Sequence, residues 1–248
     1  MMKYMYVGSI HVPSYGAMII LGFVVCNLIA QRSLKSERDR YSDFLIIEIC
    51  GGIGAVLGAK LLVLLESAAN GSDPILSWNE FKELGYSYYG GLAGFFITAY
   101  AVCKACKIDG DNLAREYVFL LPLMHAFWKI GCLLGGCCFG RPYEGPFAIV
   151  YPAGVNAVSQ MRVFPSPVAE TCISLLIALV LLLAGKFRES HSPAGLYPVM
   201  YGTARFFLEF MRYHEDNGYF SAVHLYSVIA VVIGMVFVMK DHRRKNCE

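Results

Sequence analysis

Charge is scarce in this chain. Only 16% of its 248 residues are Asp, Glu, Lys or Arg, against about 25% in an average soluble domain. The formal net charge is +2, a balance that supplies no broad basic face and excludes a nucleic-acid binder. No low-complexity tract occurs, nor any repeat with a period of roughly 20–50 residues, so solenoid and collagen-like architectures are excluded. The polar content is too low for disorder, and the length does not suit a small secreted disulfide scaffold. What is present is apolar: 56% of residues are hydrophobic and the mean hydropathy is +0.50.

The apolar residues fall into stretches near the length of roughly 17–25 residues that a bilayer crossing needs. Seven are predicted, at about 15–30, 44–65, 88–103, 117–137, 168–184, 196–211 and 223–239. The third, fourth and sixth carry polar or charged residues. Turn-forming clusters separate the spans, for example at 70–74 and 214–218. The expectation is an all-α polytopic membrane protein, a single integral-membrane domain over 1–248.

Basic residues set the orientation. Arg32, Lys35, Arg38 and Arg40 follow the first span, and Lys104, Lys107 and Arg115 the third. Lys186 and Arg188 follow the fifth; Lys240, Arg243, Arg244 and Lys245 follow the seventh. These thirteen of the 21 Lys and Arg residues lie on one side, which places the N-terminus outside and the C-terminus in the cytoplasm. Positive charge follows the first apolar stretch instead of preceding it, so a cleaved signal peptide is not expected.

Cysteines are spread along the chain. Cys26, Cys50 and Cys172 lie in apolar runs and read as packing residues. Cys103 and Cys106 form a CxxC without a second pair or a histidine nearby. Cys132, Cys137 and Cys138 gather where the fourth span meets the outside. A disulfide or a metal is open there, but the glycine-rich run around them reads first as small residues that let helices approach. No metal is expected.

Ionisable residues inside apolar stretches carry more information, because a charge near the bilayer centre costs at least about 2.5 kcal/mol on insertion scales. His125 and Lys129 are four apart and share a helix face. Arg205, Glu209 and Arg212 form a second stripe, and Glu48 and Lys60 flank a glycine-rich part of the second span. Glu209 between two arginines reads as a structural ion-pair stripe in a soluble helix. In lipid the excess positive charge points instead to an anionic head group, which guanidinium grips through paired hydrogen bonds to phosphate. Tyr89, Gly90 and Gly91 open the third span, where the glycines permit close approach of backbone or lipid. Tyr15 opens the first. Either tyrosine can anchor at the interface or offer its hydroxyl to a substrate.

In order and spacing these segments resemble the prolipoprotein diacylglyceryl transferase family over nearly the whole chain. The matching runs are Ser14-Tyr15-Gly16, Gly58-Ala59-Lys60-Leu61 and Tyr89-Gly90-Gly91-Leu92. They continue with His125-Ala126-Phe127-Trp128-Lys129-Ile130-Gly131-Cys132, then Gly136-Cys137-Cys138-Phe139-Gly140. Phe164-Pro165-Ser166 with Glu170 precedes Tyr201-Gly202 and the Arg205, Glu209, Arg212 stripe. The departures are Tyr89 where the family has His before Gly-Gly-Leu, and Lys129 where it has Arg before Ile-Gly. Trp128 replaces a small residue, Lys60 replaces the second-span Arg, and Pro167-Val168-Ala169-Glu170 stands in place of Gln-Leu-Tyr-Glu. Lysine keeps the charge but loses the two-pronged grip, and tyrosine for histidine removes a group that titrates near neutrality.

The resemblance implies an enzyme of the bacterial cell membrane that works without a cofactor. It would move the diacylglyceryl group of phosphatidylglycerol to the lipobox cysteine thiol of a preprolipoprotein, releasing glycerol 1-phosphate. Arg205 and Arg212 would hold the phosphate with help from Lys129, and Glu209 would orient the arginines. His125 would be a candidate proton acceptor, and Tyr89 would hydrogen-bond the lipid. Tyr15, Lys60, Gly90 and Gly91 would line the lipid site. Two alternatives stand beside this: a paralogue acting on another lipid or acceptor, and a membrane protein that binds or transports phospholipid without catalysis.

Overall fold

The computed structural model describes residues 4–7, 10–33, 38–69, 85–153, 158–186, 193–214 and 220–245. The turn expected at 70–74 lies outside them, and of the one at 214–218 only His214 is described. The chain forms two compact units, Met1–Ala30 with Ala114–Glu248, and Gln31–Leu113.

Eight α-helices account for most of the described residues: α1 (Ser14–Ser33), α2 (Arg38–Ala69), α3 (Tyr88–Cys106), α4 (Gly110–Tyr117), α5 (Leu120–Gly135), α6 (Ser166–Lys186), α7 (Pro193–Glu209) and α8 (Ala222–Lys245). The strands are two short antiparallel pairs. β1 (Tyr4–Val7) runs against β2 (Ile10–Pro13), with Tyr4 opposite Pro13. β3 (Ile149–Val150) runs against β4 (Arg162–Val163), with Ile149 opposite Val163. The all-helical expectation holds. Five helices, α1, α2, α3, α6 and α8, are long and apolar enough to cross a membrane. The pair α4 and α5, bent by 50° at its break, makes up to six. Helix α7, with 17 residues, is only about 26 Å long, and it carries Arg205 and Glu209.

Glycine sets how closely the helices pack in the second unit. A methyl group at Gly54 would come within 2.7 Å of the Gly94 carbonyl oxygen, and one at Gly58 within 2.4 Å of that of Gly90. Helices α2 and α3 therefore meet backbone to backbone, the small-residue contact that replaces hydrophobic driving force in lipid. Ser87 caps α3, its hydroxyl accepting from the Gly90 N–H at 3.4 Å, while its own N–H donates to the Ala59 carbonyl at 3.2 Å.

In the first unit, α6 packs on both α5 and α7, and α7 packs on α8. Gly22 of α1 fits beneath Phe127 of α5, and Gly131 of α5 lies under the backbone of Tyr15. Large apolar side chains on α1, α6 and α8, among them Ile20, Leu176 and Val232, point outward. Exposed hydrocarbon of that kind suits a lipid surface.

Candidate active site

The first unit buries a set of charges among apolar helices. Lys129 projects from α5, one turn beyond His125. Glu170 lies in the first turns of α6, and Arg205 and Glu209 share one face of α7. Lys129, Glu170, Arg205 and Glu209 are each less than 9% exposed. Removing charge from water at this depth costs several kcal/mol per ion unless each finds a partner.

The partners are specific. Lys129 Nζ lies 2.8 Å from Glu170 Oε2, and Arg212 Nη1 lies 3.7 Å from Glu170 Oε1. Arg205 Nη2 contacts Glu209 Oε2 at 2.5 Å, while Glu209 Oε1 accepts from the Ser221 hydroxyl at 2.8 Å and lies 3.4 Å from His214 Nε2. Glu209 thus pairs with Arg205, while Glu170 joins Arg212 to Lys129. Burial works against the Arg212 charge, but Cys138, Glu170 and Glu209 outweigh it and hold the guanidinium protonated. Among the described residues, three cations of this cluster share two carboxylates, Glu170 and Glu209.

His125 is fixed at both ring nitrogens. Nδ1 shares a hydrogen bond of 2.8 Å with the Ser174 hydroxyl, and Nε2 lies 3.5 Å from the Tyr201 hydroxyl, whose ring stands edge-on to the imidazole at 5.1 Å.

Arg212 lies beyond the end of α7 and is placed by the backbone. The stretch after α5 runs as a strap between two others. Gly140 N–H donates to the Phe164 carbonyl, Arg141 N–H to that of Met211 and Phe164 N–H to that of Arg141. Gly140 bridges to Arg212 itself. A methyl group on Gly140 would fall within 2.4 Å of the Phe164 carbonyl and 2.9 Å of that of Met211, so only glycine fits there without displacement. Phe139 and Tyr213 pack on Tyr151, Val158 and Val163 beneath this strap.

Of the residues singled out in the sequence, the first unit brings together His125, Lys129, Arg205, Glu209 and Arg212. Tyr15 stacks edge-on against Trp128 at 6.2 Å, where it helps seat α1 on α5. Lys60, Tyr89, Gly90 and Gly91 belong to the second unit. There Lys60 lies over the Tyr86 ring at 4.3 Å, Tyr89 packs against Tyr88, and both glycines rest against α2. The sequence reading assigned no role to Glu170. The signal was available, since a carboxylate inside the predicted span 168–184 carries the same insertion cost as the others. Ser174, Tyr201 and Ser221 carried no comparable signal.

A family model described as prolipoprotein diacylglyceryl transferase matches residues 3–240. A phosphatidylglycerol–prolipoprotein diacylglyceryl transferase of Clostridium tetani is 28% identical over 244 residues, covering 96% of each chain. The second such transferase of Clostridium perfringens is 29% identical over 211 residues, covering 82% of this chain and 80% of its own. That of Stenotrophomonas maltophilia is 26% identical over 270 residues, covering 95% and 90%.

Proposed function

The chain belongs to the prolipoprotein diacylglyceryl transferase family, and from that premise we propose that it transfers the diacylglyceryl group of phosphatidylglycerol to the cysteine thiol of a lipobox-containing preprolipoprotein in the bacterial cell membrane. The observation that carries the reading is the cluster of buried Lys129 and Arg205 with half-buried Arg212, held by Glu170 and Glu209 among the described residues. Guanidinium and ammonium groups held at this depth suit the negative charge of a phosphodiester. As the ester bond breaks, charge grows on the leaving phosphate, and prearranged cations stabilise that growth more than the ground state.

Each residue then has a task. Arg205 and Arg212 grip the phosphate, and Lys129 adds a compact charge. Glu209 and Glu170 hold these cations in place and lower the cost of burying them. His125, occupied by Ser174 and Tyr201, is better suited to positioning α5 against α6 and α7 than to accepting the thiol proton. Tyr89, Lys60, Gly90 and Gly91 are assigned to the lipid, and Tyr15 to the entrance of the first span.

The same reading treats the chain as one integral-membrane domain with seven crossings, α7 being the sixth. A helix this short and charged can cross because Arg205 and Glu209 pair with each other, and Glu209 with Ser221, instead of facing lipid. With the N-terminus outside, the basic loops fall in the cytoplasm. The test is direct: purified protein in phosphatidylglycerol vesicles, given a lipobox peptide, should yield a peptide heavier by one diacylglyceryl group. Vesicles lacking phosphatidylglycerol should yield none, and an unmodified peptide in both rejects the reading.

A further inference from the structure

Three thiols that take no part in the ion pairs converge at the end of α5. Cys132, Cys137 and Cys138 are all free, and their Sγ atoms lie within 4.8 Å of one another. The backbone brings them together. Gly136 caps α5 in the left-handed conformation, φ 76°, and the Cys137 N–H donates to the Cys132 carbonyl at 3.0 Å. Cys138 is left-handed as well, φ 58°, a conformation uncommon for a residue with a side chain. The chain therefore reverses over the helix end and sets Cys138 back against Cys132. From there it enters the strap, where Tyr213 N–H donates to the Phe139 carbonyl and Gly140 N–H to that of Phe164.

The three thiols are not equivalent. Cys138 Sγ accepts hydrogen bonds from the Cys132 and Cys137 thiols, and the Arg212 guanidinium donates to it as well. Those thiol bonds, with the Lys129 and Arg212 charges, hold the Cys138 thiol well below its usual range against the opposing effect of burial. As donors, Cys132 and Cys137 keep their protons. The thiolate, not the thiol, is the nucleophile. Redox-active cysteines combine thiolate character with partial exposure and a second cysteine close by. Cys138 meets each condition, being half-buried beside exposed Cys137 and in contact with Cys132.

We propose that Cys138 is an oxidation site that takes a peroxide and then closes a disulfide with Cys132, drawing its sulfur away from Arg212. Cys137 is excluded as the partner because it is adjacent in sequence. Consecutive Cα atoms lie about 3.8 Å apart, short of the roughly 4.4–6.8 Å that a disulfide spans. In the first step the Cys138 sulfur attacks one peroxide oxygen. An S–O bond forms, the O–O bond breaks, and the other oxygen leaves as hydroxide or alkoxide. The Cys132 sulfur then attacks Cys138 Sγ. The S–S bond forms as the S–O bond breaks, and the departing hydroxide takes the Cys132 proton to leave as water. The sulfurs are oxidised and the peroxide is reduced. A dithiol reverses the change by exchange. The consequence for catalysis rests on the transferase reading: Arg212 loses an acceptor that holds it at the phosphate, so the oxidised enzyme is slow.

Full-length protein in phosphatidylglycerol vesicles, treated with limiting hydrogen peroxide and then alkylated, should give a Cys132–Cys138 cross-linked peptide by mass spectrometry. Cys172, exposed on α6 and outside the cluster, should be recovered alkylated. Cys132→Ser should give no cross-link, its Cys138 being trapped by dimedone as the sulfenic acid. Thioether formation on a lipobox peptide should fall about tenfold on oxidation, the scale of one lost charge-assisted contact, and recover with dithiothreitol. Cys138 oxidised no faster than Cys172, or a disulfide through Cys137, overturns the site. The expected disulfide with undiminished transfer overturns its hold on Arg212. Transfer without the disulfide rejects the oxidation site and leaves the transferase reading intact; the disulfide without transfer by the reduced protein rejects that reading and leaves the site.

Discussion

Glu170 touches two of the three cations in the cluster, Lys129 at 2.8 Å and Arg212 at 3.7 Å, and this makes it the residue whose loss the site can least absorb. Glu170→Gln leaves buried Lys129 and half-buried Arg212 without their carboxylate, a change that costs about 3–5 kcal/mol. The expected result is a large drop in thermal stability in detergent, partly restored by adding Lys129→Met, since the two positions couple directly. Equal destabilisation in single and double variants would separate them. At Lys129 the compact ammonium already has a close partner, and Trp128 turns toward Tyr15. Lys129→Arg should therefore leave the transfer rate within about threefold, under 1 kcal/mol in barrier. The charged residues were legible in the sequence because lipid makes each of them expensive. Their pairing was not: the stripe suggested Glu209 between two arginines, whereas Arg212 leaves the helix and reaches Glu170, forty-two positions earlier, through a loop that hydropathy does not encode.

At the scale of the element, the strap from Phe139 to Tyr143 determines where Arg212 sits. Gly140→Ala forces a methyl group against the Phe164 and Met211 carbonyls, and overpacking of this kind costs about 1–3 kcal/mol. Because the displaced segment carries Arg212, activity should fall further than stability, with KM for phosphatidylglycerol rising. A variant that loses stability alone would show that the strap supports the fold without placing the arginine. Helices were the most legible elements, since a long apolar run in this composition has few other outcomes. The spans expected at 44–65 and 168–184 lie inside α2 and α6. Of the 117–137 stretch, Leu120–Gly135 form α5, which counts as a candidate crossing only together with α4, across a 50° bend at Val118 and Phe119. Neither strand pair was foreseen. Two residues on each side of β3–β4 are too few for an alternating pattern, and the ladder exists because the strap it joins is pinned from both sides.

At the scale of the whole molecule, the proposed seven-span arrangement makes a claim about sidedness. A reporter joined after Glu248 should be active only when it functions in the cytoplasm, and one that works only outside would invert the arrangement. The central claim is chemical: the buried cations accelerate departure of phosphate from a phosphatidylglycerol-derived diacylglyceryl group. The most direct measurement compares the rate of thioether formation on a lipobox peptide by wild-type protein and by Arg205→Gln, both shown to be folded. Losing one charge-assisted contact to the leaving phosphate is worth about 1.5–3 kcal/mol, so the rate should fall roughly 10- to 150-fold. A folded Arg205→Gln protein that transfers at the wild-type rate would contradict the account.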